Sequence, residues 1–172
     1  GERRAYCREL GAGVAEFLMV MEAAEAARKG GDPIIFGAPN AARGGSHIGS
    51  LGAGDMVEAG LCDALASDYF YPAMLAAIAK LDAEHRADRL ALWSLVSSGP
   101  ARAMGLPDRG DITVGKRADL VLVDWPDGSV PAIQGTWVAG RCAYRGMPCW
   151  MSLPRLNRDY LPAIGLGITQ IM

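Results

Sequence analysis

The sequence feature that constrains the fold most is a unit repeated three times, a short apolar run followed by a helix-forming stretch. GVAEF (13–17) is apolar up to its acid, and MEAAEAARKG (21–30) behind it is Ala- and Glu-rich with a glycine stop, which is helix composition. PIIFG (33–37), with a β-branched centre, repeats the strand half, and GDMVEAGL (54–61) supplies a short helix that Asp55 can cap. DALAS (63–67) leads into Asp68, and YPAMLAAIAKL (71–81) opens with a proline and continues with apolar residues at helical spacing. Alternation at this interval predicts an α/β fold of βα units around a parallel sheet, with chemistry at the strands' C-terminal ends. Glu16, the 37–50 loop and Asp68 all fall there.

Beyond residue 105 the texture changes. RGDITVGKRADLVLVDWPDG and QGTWVAGRCAYRG carry Val-rich runs between Gly, Asp and Pro turns, which predicts three or four short antiparallel strands. The stretch before them, RADRLALWSLVSSGPARAMGL, reads as a helix broken at Gly99-Pro100 and stopped at Gly105. The expected division is an α/β part over 1–105, a small β segment over 106–146, and a tail over 147–172. The tail is apolar without a clear period, so it either packs as a terminal strand or wanders. The opening GERRAYCRELGAG reads as the end of a helix closing on glycine, and hence as the sign of a fragment.

Composition narrows the partners. The 172 residues are 51% hydrophobic and fall in the range of one globular domain. With 21% charged residues of interspersed sign and a net charge of -2, there is no basic stripe for nucleic acid or an anionic membrane. An anionic ligand must therefore be gripped locally. No secretory h-region opens the sequence and no apolar run reaches the ~20 residues of a membrane span, so the expectation is a soluble protein. Cys7, Cys62, Cys142 and Cys149 lie far apart without a C-x-x-C pair, and read as reduced structural thiols of a cytoplasmic protein.

Asp68 follows an apolar strand, where an acid is costly unless paired, hydrogen-bonded or bound to a metal. It reads either as a cap on the next helix or as a metal ligand or general base. In GAPNAARGGSHIGS (37–50), Arg43 offers a planar fork for phosphate or carboxylate, and Gly44 and Gly45 let backbone amides approach an anion. Ser46 and His47 add a hydroxyl and an imidazole, which suits a phosphorylated ligand; the alternative is an ordinary glycine-rich turn with a solvated arginine. Glu16 either lines the same site or pairs structurally at its strand end. His85, among charges in KLDAEHRADR, reads as an exposed helix residue.

SSGPARAMGL, DRGDITVGKRADLVLVDWPDG and TWVAGRCAYRG together resemble the C-terminal end of metal-dependent amidohydrolases, where the last barrel helix passes into a small β domain. GAPNAARGGSHIGS followed by LCDALASDYFYPAMLAAIAKL resembles more narrowly the PhnM-type, phosphonate-metabolism branch, and with VAEF included the likeness spans roughly residues 5–146. The resemblance implies a (β/α)8 barrel with one or two divalent metals, usually zinc, of which GVAEF, PIIFG and DALAS would be strands six, seven and eight. It implies hydrolysis of α-D-ribose 1-methylphosphonate 5-triphosphate in the carbon-phosphorus lyase pathway, releasing pyrophosphate. Asp68 would then be the last-strand aspartate that binds metal and takes a proton from the attacking water, while Asn40, Arg43, Gly44, Gly45, Ser46 and His47 would meet the substrate. The family's proline after the strand-six Glu-Phe is Leu18 here, and a serine and an asparagine are replaced by Ile48 and Ser50.

A whole barrel needs about 250 residues, and the superfamily's His-x-His pair occurs nowhere in this chain. Strands one to five, with the remaining metal ligands, would lie outside it, leaving this chain inactive alone. Two other readings stand beside this one: a non-catalytic module binding phosphorylated ligands, and an amidohydrolase acting on a C–N bond. An incomplete barrel exposes strand edges, so a homo-oligomer or self-association through the sheet edge is expected.

Overall fold

The computed structural model describes residues 2–18, 20–44, 52–146 and 167–169. Three parallel strands in sequence order, β1 (Ala15–Glu16), β2 (Ile34–Gly37) and β3 (Ala64–Ala66), form the first sheet. The register sets Ala15 opposite Ile34, Ile35 opposite Ala64 and Phe36 opposite Leu65. Because side chains alternate along a strand, Ala15, Ile34, Phe36 and Leu65 share one face, and all four are buried in the main core. Glu16, Ile35, Ala64 and Ala66 share the other. Burying Phe36 and Leu65 contributes about 2 kcal/mol each, which is what holds such short strands in place.

The helices follow the expected order. α1 (Glu2–Glu9) ends where Gly11 turns left-handed at φ +85°, so that its amide reaches Arg8 O and that of Ala12 reaches Cys7 O. α1 buries no side chain. It is held by Arg4 and Arg8, whose Nε atoms donate to the buried Asp32 carboxylate at 2.7 and 3.0 Å. Burial pushes the Asp32 carboxyl up, but the hydrogen bonds and charges of Arg4 and Arg8 outweigh it and hold the group below the usual carboxylate range. α2 (Met21–Lys29) buries Ala24 and Ala27.

Three local readings are corrected. Residues 38–43 of the expected 37–50 loop form a helix, α3 (Ala38–Arg43), because Pro39 is tolerated in a first turn and Ala38 and Ala41 are buried in the core. α4 (Ala53–Glu58) forms with Asp55 closing its start as expected: from the third helical position its carboxylate accepts the Gly52 amide at 3.0 Å. α5 (Ala73–Ala83) forms as expected behind Pro72, but His85, though exposed, lies beyond the helix in a left-handed turn at φ +54°.

The third correction concerns the helix break. It falls at residues 95–97, between α6 (Arg89–Ser94) and α7 (Ser98–Ala103), and Gly99-Pro100 lies inside the first turn of α7. The Leu95 carbonyl leaves the helix to accept the Leu65 amide of β3 at 2.8 Å, which covers that strand's outer side. Gly99 is required here, since a β-carbon would collide with the Asp63 carbonyl.

The second sheet is antiparallel, in the order β6-β5-β4-β7, from β4 (Leu120–Asp124), β5 (Ala132–Val138), β6 (Arg141–Arg145) and β7 (Gly167–Thr169). RGDITV, ahead of these strands, runs as turns tied by Lys116 to Asp111 at 2.6 Å, with Val114 fully exposed. The β5–β6 hairpin turns on Ala139-Gly140, both left-handed (φ +50° and +76°), the backbone that the twist of a two-residue hairpin asks for. Buried Asp119 accepts the Ala139 amide at 2.7 Å and pairs with Arg117 at 2.9 Å, so one carboxylate secures the turn. Val121 and Val123 of β4 join the same core as the helices, and Trp93 of α6 meets Trp125 at 6.1 Å between ring centroids.

Candidate functional site at the strand ends

β1, β2 and β3 deliver Phe17, Gly37 and Asp68 to one place. A β-carbon on Gly37 would lie 2.6 Å from Asp68 Oδ2 and 2.9 Å from both Cε1 and Cζ of Phe17. The carboxylate and the ring therefore both rest against the bare α-carbon of Gly37. Phe17 and Asp68 are themselves left-handed, at φ +50° and +51°. That backbone is unusual for a bulky residue and costs about 1–2 kcal/mol, less for aspartate, whose short side chain tolerates it. Two neighbouring turns of this kind shorten the strands and aim both side chains at one point.

Asp68 is exposed, and among the described residues its carboxylate has no hydrogen bond or ion pair. It also does not cap α5, whose N-cap position is Pro72 without a side-chain cap bond. Glu16, exposed at the end of β1, is likewise without a partner among the described residues. The sequence reading singled out Asp68 but missed Phe17 and Gly37; the signal was a glycine closing an apolar strand, which marks close approach of another group.

α3 starts at Gly37 and carries the candidate anion ligands to its far end, roughly 9 Å away for six helical residues. There Asn40, Arg43 and Gly44 come together. Arg43 is exposed and folded along its own helix, with Nη2 donating to Asn40 Oδ1 at 2.9 Å and Nε to Pro39 O at 3.2 Å. Gly44 (φ +70°) leaves room for the Lys80 side chain of α5, whose Nζ pairs with Glu84 Oε1 at 3.1 Å. Lys80 is a cation that sequence reasoning missed, brought in by packing of α3 on α5. Gly45, Ser46 and His47 lie outside the described residues.

A cavity of about 110 Å³ opens beside this end of α3, lined among others by Asn40, Gly44, Asp55, Glu84 and Arg86. Arg86 there is already engaged by Asp55, Glu58 and Glu84 at 3.0, 2.6 and 3.4 Å. Its charge is spent on those acids, so it adds little pull on an anion.

No group of three or more His, Cys, Asp or Glu that could hold a metal occurs among the described residues. A catalytic zinc takes three protein ligands and an open position. The donor chemistry therefore fits one corner of such a centre: a single oxygen donor, Asp68, left without a competing partner where Gly37 keeps space open. Cys62 is no candidate, since burial raises its thiol to about 12 and keeps it protonated.

The family model described as Amidohydrolase family matches residues 21–144. The alpha-D-ribose 1-methylphosphonate 5-triphosphate diphosphatase of Escherichia coli strain K12 is 45% identical over 136 residues, covering 77% of this chain. The chain spans 35% of the length of that curated relative.

Proposed function

The chain belongs to the amidohydrolase family, and from that premise we propose that it is the C-terminal portion of a metal-dependent phosphohydrolase acting on α-D-ribose 1-methylphosphonate 5-triphosphate. The observation that carries the reading is Asp68, partnerless among the described residues and seated over Gly37 at the end of the third of three parallel strands. In this reading β1, β2 and β3 are strands six, seven and eight of a (β/α)8 barrel, the α/β part ends near 105, and 106–146 forms a small β domain segment to which β7 (Gly167–Thr169) adds a strand. The parallel sequential order supports it, as does the division of faces between a helix-covered side and a side bearing Glu16, Ile35 and Ala66.

The metal, zinc in this proposal, would be held by Asp68 together with ligands from outside the chain, and when bound it supplies the Lewis acidity that makes a water acidic near neutral pH. Asp68 accepts that water's proton. The water oxygen bonds to the phosphorus next to the ribose, and the bridging oxygen leaves with pyrophosphate. Arg43, Asn40 and Gly44, with Gly45, Ser46 and His47, bind the polyphosphate. For this, Arg43 exchanges its hydrogen bond to the neutral Asn40 amide for an ion pair with phosphate, whose oxygens can accept from the planar guanidinium fork two at a time. Lys80 adds a second cation at Gly44.

A cytoplasmic site of action fits Cys7, Cys62 and Cys142, which are free thiols. No helix among the described residues is long and apolar enough to cross a membrane. By itself the chain would self-associate through β1, an edge strand of its sheet.

The test is hydrolysis of the ribosyl triphosphate by the full-length protein carrying this segment, with and without Asp68→Asn. Loss of a general base costs on the order of 10²–10⁴ in kcat. Undiminished activity in the variant would remove Asp68 from its role.

A further inference from the structure

We infer that Gly37 and Phe17 are positioning residues for Asp68, with the bare α-carbon of Gly37 as the seat of the carboxylate and the Phe17 ring as its wall. The inference deepens the proposed function and rests on the reading of Asp68 as the catalytic carboxylate. Its basis is the convergence of three strand ends. The Phe17 amide still donates to Ile35 O at 3.2 Å, so Phe17 is locked to β2 as it turns, and its ring is delivered over the next residue pair along that strand. Asp68 arrives from the opposite side, two residues beyond the Gly37–Ala66 pair. Both turn through left-handed backbone, and both end within 3 Å of the same point, where only glycine leaves space.

A methyl group at that point forces something to move, and the physical chemistry says what. The Phe17 ring is rigid, sits on a strained backbone and is 40% exposed, so swinging it further out uncovers apolar surface. The Asp68 carboxylate has free torsions, lies in solvent and loses no hydrogen bond among the described residues when it rotates. The carboxylate therefore yields first. Gly37→Ala should fold nearly as well as the parent, yet hold its acid close to 1 Å out of place, which is enough to cost about 100-fold in rate. An ordinary packing glycine would show the reverse, a loss of stability with normal chemistry per folded molecule.

The experiment uses the full-length protein carrying this segment. Gly37→Ala is expected to lower kcat on the ribosyl triphosphate by about 100-fold with KM within about threefold of the parent, because the displaced group acts in the chemical step. Zn2+ affinity, measured by chelator competition, should weaken by about 10-fold, as for other groups that orient a ligand. The Tm should stay near the parent value. In Phe17→Leu/Gly37→Ala the smaller wall lets the methyl lean away from Asp68, so kcat should recover by about 10-fold over Gly37→Ala, the sign of coupled neighbours. Should Gly37→Ala be insoluble, the double variant compared with Phe17→Leu carries the test, and an inactive, folded double variant overturns the inference.

Parent-like kcat and Zn2+ affinity in Gly37→Ala, beside an inactive Asp68→Asn, would overturn the positioning role and leave the catalytic reading standing. An active Asp68→Asn would overturn both.

Discussion

Asp68 and Asp119 are both aspartates next to short strands, and their surroundings are opposite. Asp119 is buried and carries the Ala139 amide with the guanidinium groups of Arg109 and Arg117. Asp68 is exposed, rests on a glycine, and has no donor among the described residues. A carboxylate with its lone pairs filled is part of the scaffold, because moving it breaks several bonds at once. A carboxylate left open beside a cradle is available to a water or a cation. The same side chain secures a hairpin in the antiparallel sheet and, in the proposed function, serves chemistry at the end of the parallel one.

The contrast is sharpest in paired substitutions. Asp68→Asn should remove most of the full-length protein's activity, as set out above, while leaving Tm within about a degree, since surface changes away from special features stay within about 0.5 kcal/mol. Asp119→Ala should do the opposite: it removes the part-buried bond to the Ala139 amide and a partner of two guanidinium groups, at a cost of about 2 kcal/mol in urea denaturation. Equal effects of the two on Tm would erase the distinction.

Arg43→Ala tests whether the far end of α3 belongs with Asp68. Its expected signature is a KM raised by about 10-fold with a smaller change in kcat, read from initial rates across substrate concentration. A KM unchanged by the substitution would separate Arg43 from the site.

Asp32 offers a third carboxylate, satisfied like Asp119 but by two guanidinium groups of α1. Its folded pKa lies below the unfolded value of about 3.9. A depressed carboxylate contributes stability above the unfolded pKa and loses it as pH falls through the folded one. The stability difference between the parent and Asp32→Asn should therefore be constant near neutrality and shrink below about pH 4, where α1 loosens. A difference that grew on acidification would contradict the assignment. The smallest expected effect is Ala139→Gly, a gain of about 1 kcal/mol, because glycine occupies the left-handed turn position without the Cβ penalty. Thermal melts would show it, and a lower Tm would mean that the Asp119 bond alone sets the turn.

Much of the fold was legible because it is written locally. Apolar runs, alanine-rich helices and glycine stops announce themselves within a dozen residues, so β1 to β3, α2 and α5 and the change to antiparallel strands could all be read along the chain. The errors came where a local signal had two outlets. The glycines after residue 43 suggested a loop from 37 onward, yet Ala38 and Ala41 could be buried and so formed a helix. Gly99-Pro100 looked like a breaker, yet the break lies at 95–97, where Leu95 gives its carbonyl to β3. Of the candidate site, Asp68 and Arg43 were readable from residue type and position, whereas the Gly37 cradle and Lys80 were not.

By itself the sequence determined the order of the elements, the parallel character of the first sheet and the place of a lone acid at a strand end, since hydrophobic period and turn chemistry act over short distances. Only the tertiary structure decided that Phe17, Gly37 and Asp68 meet, that Asp119 secures a hairpin twenty residues on, and that Arg86 is neutralised. Those are contacts between segments far apart in the chain. They depend on strand register and helix packing, which close only when the whole core is assembled, and no single stretch of residues records them.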